Sequence, residues 1–240
     1  MNQEIGKKLL SILKMEQVKK DEPMKIHTTF RVGGPASYFV TPETEGEIAK
    51  VIEVCTQENV PYYIVGNGSN LLVSDQGYEG VIIQIYKQMN RVEITENEIH
   101  AQAGALLSMI ANRAMEAELT GFEFAAGIPG TLGGACVMNA GAYGGEMKDV
   151  LETVTVLTRD GDVKTLKKEE LELGYRTSVI REKGYLVLGA ELGKDQRADN
   201  AYHADESHHQ NALEHVSLSQ REYLAALDEN AGADNDADHH

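Results

Sequence analysis

The sequence has no tryptophan, only four phenylalanines and two cysteines among its 240 residues, and basic residues are scarce. Its 22 lysines and arginines are outnumbered by 38 aspartates and glutamates, which gives a formal net charge of −16 at pH 7. A broad nucleic-acid or anionic-membrane surface needs a basic field, so this shortage argues against both partners. Any phosphate site must be local, within a fold whose 42% hydrophobic content is enough for a core.

The two cysteines indicate where the protein works. Cys55 and Cys136 lie far apart and lack the spacing of a disulfide framework or a zinc site, so we expect a reducing, cytoplasmic compartment and no metal. The amphipathic segment 1–20 repeats lysine and contains no long apolar run, which is typical of neither a secretory signal nor a membrane span.

Composition changes near residue 195. Residues 195–240 contain 11 acidic residues, only Arg197 and Arg221 as basic ones, and six of the eight histidines. We therefore expect an N-terminal lobe at 1–85, a second lobe at 86–194 and an acidic, histidine-rich tail at 195–240. The spacing of the tail histidines does not favour a metal site.

The first predicted lobe mixes helix and strand. An N-terminal helix breaks at 21–23, and a strand is predicted at 37–40. Thr44 followed by Glu47 is a capping-box pattern that predicts the start of a helix. The apolar segment 61–65 reads as a short strand that leads directly into a glycine-rich loop.

The second lobe is also mixed. Strands are predicted near 91–94 and 98–103, followed by a helix that Gly121 is placed to end. Residues 159–161 read Arg-Asp-Gly and predict the tip of a hairpin, because Asp-Gly suits a tight turn. A last strand is predicted at 185–192.

Two glycine-rich loops, Gly66–Asn70 and Gly127–Gly145, are the strongest functional signal. Glycine lets backbone N–H groups approach an anion closely, so two such loops predict a clamp around an extended phosphate-bearing ligand. A Rossmann fingerprint is disfavoured because Leu71 stands where its third glycine belongs. Pro129 predicts a helix start in the second loop, with a dipole that would favour the same anion. The alternative is tight packing of that segment against a strand, and both readings can hold together.

Five motifs carry a resemblance to a known family. In chain order they are Thr28-Thr-Phe-Arg-Val-Gly-Gly34, Ile64-Val-Gly-Asn-Gly-Ser-Asn-Leu-Leu72, Ala126-Gly-Ile-Pro-Gly-Thr-Leu-Gly-Gly134, Met138-Asn-Ala-Gly-Ala142 and Gly174-Tyr-Arg-Thr-Ser178. Their order and spacing resemble the UDP-N-acetylenolpyruvoylglucosamine reductases, the MurB family, in its shorter Gram-positive-type branch. The resemblance covers about 1–193.

The resemblance implies an α+β flavoprotein of the vanillyl-alcohol-oxidase/MurB fold, with FAD held between two mixed lobes. In the family, NADPH reduces FAD, and hydride then passes to the enolpyruvyl double bond of the UDP-sugar, giving UDP-N-acetylmuramate for peptidoglycan. The matching candidate cofactor-binding residues are Gly66, Asn67, Gly68, Ser69, Asn70, Gly127, Ile128, Pro129, Gly130, Gly133, Gly134, Asn139 and Gly141.

Arg176 matches the family's catalytic arginine. Hydride arriving at the substrate's β carbon pushes charge into the carboxylate, and a guanidinium can neutralise that charge through two hydrogen bonds. Lysine lacks this fork. The alternative is a surface arginine in a turn. Cys136, inside a flavin-contacting motif, is expected to pack and not to react.

The match ends near Leu192. The family's substrate lobe, with its proton-donating serine and assisting glutamate, is not found in 195–240, so we expect negligible turnover from the chain as it stands. Two alternatives remain open: a catalytically silent FAD-binding module completed by a partner chain, and a flavin oxidase of the same fold. No protein partner is indicated by the sequence.

Overall fold

The computed structural model describes residues 3–95 and 98–193. Its α-helices are α1 (Gln3–Ile12), α2 (Glu45–Gln57), α3 (Leu107–Glu116), α4 (Leu132–Met138), α5 (Met147–Val150) and α6 (Val179–Lys183). Its strands are β1 (Val18–Pro23), β2 (Pro35–Val40), β3 (Tyr62–Val65), β4 (Tyr78–Gln84), β5 (Val92–Thr95), β6 (Glu98–Gln102), β7 (Gly141–Ala142), β8 (Gly145–Glu146), β9 (Leu151–Leu157), β10 (Val163–Lys167) and β11 (Leu186–Leu192). Short 3₁₀ helices lie at Met15–Gln17, Met24–Ile26, Glu123–Ala125 and Lys168–Glu170.

The first sheet has four strands in the order β1-β2-β4-β3. Strands β2 and β3 both run parallel to β4, whereas β1 is antiparallel to β2. Helix α2 makes the connection from β2 to β3 and begins where the sequence predicts, with Thr44 Oγ1 accepting the Glu47 N–H at 3.2 Å. The Glu47 carboxylate bonds the N–H of Glu43 and not that of Thr44, so the cap is displaced by one residue from a reciprocal capping box.

Strand β1 is absent from the sequence-based prediction. Its burial pattern is mostly exposed, because it is an edge strand rich in lysine and acid with few apolar residues. Its pairing with the buried strand β2, with Lys19 opposite Phe39, makes it a strand. The local pattern of apolar and polar residues carries little information about an exposed edge strand such as β1.

The second sheet has five antiparallel strands in the order β10-β9-β11-β6-β5. The predicted hairpin is confirmed: β9 and β10 are joined through Thr158 to Asp162, with Gly161 at φ +89°. Helix α3 ends before Gly121, contrary to the prediction. Glu118 takes the left-handed conformation and Leu119 N–H bonds the carbonyl of Ala114 at 2.9 Å, which closes the helix earlier.

One large hydrophobic cluster includes buried residues of both sheets, such as Val81 and Val154, and a smaller one around Phe39 lies on the first sheet. Because the larger core is shared, the boundary predicted at residue 85 stays a prediction, although it falls between β4 and β5. The predicted tail at 195–240 lies outside the described residues. Within the described part of the chain, no helix has the length and apolar character needed to cross a membrane.

Candidate cofactor and active site

The first glycine loop leaves β3 at the end of the parallel strands. Gly68 has φ +72°, and a Cβ there would lie 2.0 Å from the carbonyl oxygen of His27, so no other residue fits without moving the backbone. A Cβ at Gly66 would lie 2.3 Å from Thr131 Oγ1. Both glycines are therefore required by the packing of the loop against its neighbours.

The loop also contains backbone donors without a protein acceptor. No described residue accepts the N–H groups of Asn67, Gly68 or Asn70, and Gly68 is buried. A buried donor is normally satisfied, so the N–H group of Gly68 is suited to an anionic ligand, and the N–H groups of half-buried Asn67 and exposed Asn70 are open to the same ligand. The Asn67 side chain approaches Ser69 N–H at 3.4 Å, which gives the loop internal support.

The second glycine loop runs beside the residues that follow β6. Leu107 N–H donates to Gly130 O, Leu132 N–H to Ala105 O and Gly133 N–H to Ala103 O, at 2.8–3.1 Å. A Cβ at Gly133 would lie 3.0 Å from that of Ala103. Tight packing thus accounts for Gly133. A helix follows Pro129 as predicted, but α4 begins at Leu132, three residues later than the proline indicated. The first two of its N–H groups are used by protein carbonyls and are not available to an anion.

Other positions of the second loop present open backbone. A Cβ at Gly127 would meet nothing within 4 Å. The nearest atom would be Ser69 Oγ for a Cβ at Gly130 and Thr131 Oγ1 for one at Gly134, each 3.9 Å away. Pro129 is exposed, and the Ile128 side chain packs against the core. A flat or extended ligand can therefore approach this loop closely.

The two loops touch each other along a seam. Ser69 Oγ donates to the carbonyl of Pro129 at 2.6 Å, and Asn70 Nδ2 lies 3.3 Å from Met138 Sδ. Thr131, which the sequence analysis did not select, lies buried against Gly66 and occupies the N-cap position of α4, although its side chain makes no capping hydrogen bond. A polar residue just before a helix was the available signal for it.

Asn139 and Gly141 have structural partners. Asn139 is buried at φ +43°; its Nδ2 donates to Glu146 Oε2 at 2.9 Å and to Gly174 O at 3.1 Å, and its Oδ1 accepts Lys148 N–H at 2.9 Å. A Cβ at Gly141 would lie 2.6 Å from Gly145 O across the β7–β8 hairpin. Any role of these two residues at the cofactor stays a prediction, and both Asn139 donors are engaged with protein.

Arg176 lies in a tight turn in which Gly174 and Thr177 bond each other. It is exposed, has φ +52°, and among the described residues no carboxylate lies within ion-pair distance of its guanidinium. Arg181 Nη1 donates to its carbonyl at 2.9 Å. The turn is held to α4 at two points: the bond from Asn139 to Gly174, and Ser178 Oγ donating to Val137 O at 2.8 Å.

Ser178 has no role in the sequence analysis, yet it is fully buried and also accepts the Arg181 N–H at 3.4 Å. Neither cysteine is in a disulfide. Burial raises the pKa of the Cys136 thiol to about 12, so it stays protonated at neutral pH. The described residues contain no cluster of three metal-ligating side chains, and the tail histidines His203, His208, His209 and His215 fall outside that range.

One mixed sheet and one antiparallel sheet, together with the paired bare-backbone loops, form the architecture of an FAD-binding domain. A family profile described as an FAD binding domain matches residues 36–167. The UDP-N-acetylenolpyruvoylglucosamine reductase of Clostridioides difficile is 50% identical over 191 residues, covering 80% of this chain and 63% of that protein. The same enzyme of Clostridium novyi is 50% identical over 187 residues, covering 78% of this chain and 61% of that protein.

Solved structures agree. The Thermus caldophilus UDP-N-acetylenolpyruvylglucosamine reductase, MurB, is similar with a TM-score of 0.64 and 32% identity, covering 83% of this chain and 68% of that chain. The chain therefore belongs to the UDP-N-acetylenolpyruvoylglucosamine reductase family. Alkyldihydroxyacetonephosphate synthase, at 17% identity and a TM-score of 0.60 over 80% of this chain and 40% of that one, shows the fold alone.

These findings confirm the predicted family and the predicted fold class. FAD is the cofactor of the matched family, and the open loops with their unpaired N–H groups fit its diphosphate. The chain spans 63% of the length of the C. difficile relative.

Proposed function

We propose that this chain is the FAD-binding part of an NADPH-dependent reductase that converts UDP-N-acetylenolpyruvoylglucosamine into UDP-N-acetylmuramate for peptidoglycan. One observation carries the proposal: the turn bearing Arg176 is hydrogen-bonded to the end of α4, the helix that begins in the second glycine loop. A cofactor held at the seam would therefore lie close to the turn that carries Arg176, whose backbone is fixed by these bonds. The substrate class is inferred from the names of the relatives. The two buried cysteines, neither of which forms a disulfide, support a cytoplasmic location for the reaction.

The chain's contribution to cofactor binding is mainly backbone. FAD, when bound, supplies the hydride chemistry between NADPH and the enolpyruvyl double bond. The N–H groups of Asn67, Gly68 and Asn70 would donate to its diphosphate, while Gly130 and Gly134 leave room beside it. Ser69 acts as a tie between the loops, because its hydroxyl is already donated to Pro129.

Arg176 would act on the substrate. Its guanidinium is exposed and has no described carboxylate partner, so it can form a bidentate pair with the substrate carboxylate. That pair becomes stronger as negative charge develops during hydride addition, which lowers the barrier. The hydrogen bond from Arg181 to its carbonyl, and the bond from Asn139 to Gly174, hold the turn in place.

The test separates cofactor binding from chemistry. FAD affinity is measured by titration, and the single-turnover rate is measured by mixing the reduced flavoprotein with the UDP-sugar. Because turnover of this chain is expected to be small already, Arg176→Ala should leave FAD affinity unchanged and lower the residual rate further, and Arg176→Lys should not restore it. Arg113→Ala on α3, which removes an exposed arginine with a Glu116 partner, should change neither quantity.

Three outcomes would contradict the proposal in different ways. A folded protein that binds no FAD would remove the cofactor role of the loops. Equal rates in Arg176→Ala and the parent chain would remove Arg176 from the chemistry. Peroxide production on another small molecule, with no reduction of the UDP-sugar, would favour a flavin oxidase of the same fold.

A further inference from the structure

Three charged or titratable side chains beside the first sheet are hydrogen-bonded to one another and have no part in the proposed chemistry. They are Lys19 and Glu22 of β1 and His27, which follows the 3₁₀ helix Met24–Ile26, and we call them the histidine cluster. Glu22 Oε1 accepts hydrogen bonds from His27 Nε2 at 2.8 Å and from Lys19 Nζ at 2.9 Å. The side chains of Glu22 and His27 are only 12% and 15% exposed, so the bond between them is partly shielded from water.

The imidazole of His27 is also held by a buried aromatic ring. It lies face to face with the ring of Phe39, with 3.9 Å between the ring centroids and 20° between the ring planes. Phe39 is a buried residue of β2 and belongs to the small hydrophobic cluster of the first sheet. Val65, the last residue of β3 before the first glycine loop, belongs to the same hydrophobic cluster. A carboxylate and a buried ring therefore fix the imidazole beside the base of that loop.

The backbone of His27 supports the first glycine loop directly. Its carbonyl oxygen fills the space beside Gly68, where a Cβ would lie 2.0 Å from it. The contact continues two residues further on, because Thr29 N–H donates to Gly68 O at 3.3 Å. Gly68 N–H is the buried donor that would bind the diphosphate of FAD. The firmness with which the imidazole is held therefore acts, through one residue, on the backbone that presents this donor.

Histidine is the side chain type in this cluster that changes charge between about pH 5 and 8. Burial raises the pKa of the Glu22 carboxyl, but hydrogen bonds from Lys19 and His27 outweigh it, so the carboxylate stays ionised over that range. Since Nε2 donates to Glu22, Nδ1 is the ring atom left to take a proton, and no described residue forms a hydrogen bond with it. A proton on Nδ1 makes the bond to Glu22 charge-assisted, and such bonds are roughly twice as strong as neutral ones.

The groups around the imidazole give this effect a definite sign. Among the described residues, Glu22 is the carboxylate within ion-pair distance of the ring, and Lys19 reaches the same carboxylate from β1. Phe39 of β2 is uncharged, and the loop Gly66–Asn70 has no titratable side chain. The Lys19 side chain is 50% exposed, so water screens much of its repulsion of a charged imidazole. Protonation of the ring therefore strengthens the support of the loop.

We propose that His27 is a positioning residue for FAD binding, and that a proton taken up by its imidazole holds the first glycine loop more firmly in the conformation that binds the cofactor's diphosphate. This inference rests on the proposed function. Because coupling between two bound species is reciprocal, FAD should in turn favour the protonated imidazole. The chain should therefore bind FAD more tightly at the acidic end of the histidine range than at its basic end.

The test compares the Kd for FAD at about pH 6 and about pH 8, measured by fluorescence titration without any activity assay. For the parent chain we expect the Kd to be roughly fivefold lower at the lower pH, at the small end of typical couplings. His27→Gln can still donate to Glu22 but cannot take a proton, so its Kd should be nearly the same at both pH values. His100 of β6, the other described histidine, lies beside Glu98 and Glu191, and His100→Gln is the matched control that should keep the parent's difference.

Proton uptake gives a second readout that a purely structural role would not change. FAD binding to the parent chain at about pH 7 should take up a fraction of a proton. This uptake is measured by calorimetry as the dependence of the binding enthalpy on the ionisation enthalpy of the buffer. The uptake should be smaller in His27→Gln and unchanged in His100→Gln. If His27→Gln does not fold, Glu22→Gln takes its place, because it removes the carboxylate that responds to the proton, and it should likewise reduce both the pH difference and the uptake.

Each outcome decides for or against the proposal. A pH-dependent Kd and a proton uptake that are both lost in His27→Gln and kept in His100→Gln support it. A parent chain with the same Kd at both pH values overturns it and leaves the proposed function standing. A pH difference that persists in His27→Gln, or that disappears equally in His100→Gln, also overturns it. If the parent chain binds no FAD at either pH, the proposed function fails as well.

Discussion

The side chain of Asn139 provides the sharpest test of how this site is held together. Asn139→Ala removes three hydrogen bonds, to Glu146, Gly174 and Lys148, from a buried position. Each bond contributes about 1 kcal/mol net, so the three together stabilise the fold by about 3 kcal/mol. Alanine also disfavours the left-handed backbone at φ +43°, which adds roughly 1 kcal/mol.

Asn59→Ala is a matched control for the backbone effect. Asn59 is also left-handed, at φ +54°, but it is exposed and its side chain has no hydrogen-bond partner among the described residues. We therefore expect Asn59→Ala to cost roughly 1 kcal/mol and Asn139→Ala about 4 kcal/mol. A difference of about 3 kcal/mol corresponds to ~6–12 °C in melting temperature for a domain of this size.

The free energy of unfolding of both variants is measured by denaturant titration followed by circular dichroism. An unchanged slope of that free energy against denaturant concentration shows that the unfolding transitions are comparable. If the two variants differ by less than about 1 kcal/mol, the three bonds do not stabilise the turn as argued. The position of Arg176 would then need another explanation.

Two further predictions concern the first sheet and its loop. Gly68→Ala should weaken FAD binding at least tenfold, because the added Cβ would meet His27 O. The control Gly161→Ala, at φ +89° with nothing within 4 Å of the added Cβ, should leave FAD affinity unchanged. Similar FAD affinities in the two variants would show that the first glycine loop tolerates a side chain. Burial by itself raises the pKa of the Glu22 carboxyl, but hydrogen bonds from Lys19 and His27 outweigh it, so the pKa lies below its usual 4.5. Because the pKa of Glu22 is lower in the folded protein, its ionised carboxylate stabilises the fold above pH 4.5, and this contribution is lost as the pH falls through the folded-state pKa. Glu22→Gln should therefore lower the free energy of unfolding at pH 7 and have little effect on it in acid. An equal cost at both pH values would contradict the ion-pair explanation.

Several elements could be predicted because their signals are local. Thr44 marks the start of α2, Asp160 and Gly161 mark a hairpin tip, and the strand before Gly66 has an apolar run. Each depends on residues within a few positions of one another, where capping and turn chemistry act. The motif order likewise identified the family before any contact was known.

Most of the features that escaped prediction depend on distant partners, and one depends on a local backbone conformation. β1 is a strand because β2 pairs with it, and α3 stops early because Glu118 accepts a left-handed conformation that the pattern of apolar residues does not reveal. Thr131 is buried against Gly66 of the other loop. Ser178 accepts the nearby Arg181 N–H and also donates to Val137 O, 41 positions away. The sequence alone does not show which residues that are far apart in the chain come into contact.

By itself the sequence determined the family, the mixed α and β character and the two glycine loops, because these follow from ordered motifs and from residue types with strong local preferences. Only the tertiary structure decided how individual glycines are used. It placed Gly133 against Ala103 and Gly68 against His27, left Gly130 open, and engaged the Asn139 side chain with protein. The physical reason is that a glycine or an amide has the same local chemistry whether it faces a ligand or a neighbouring carbonyl, and only the folded chain brings one or the other into contact.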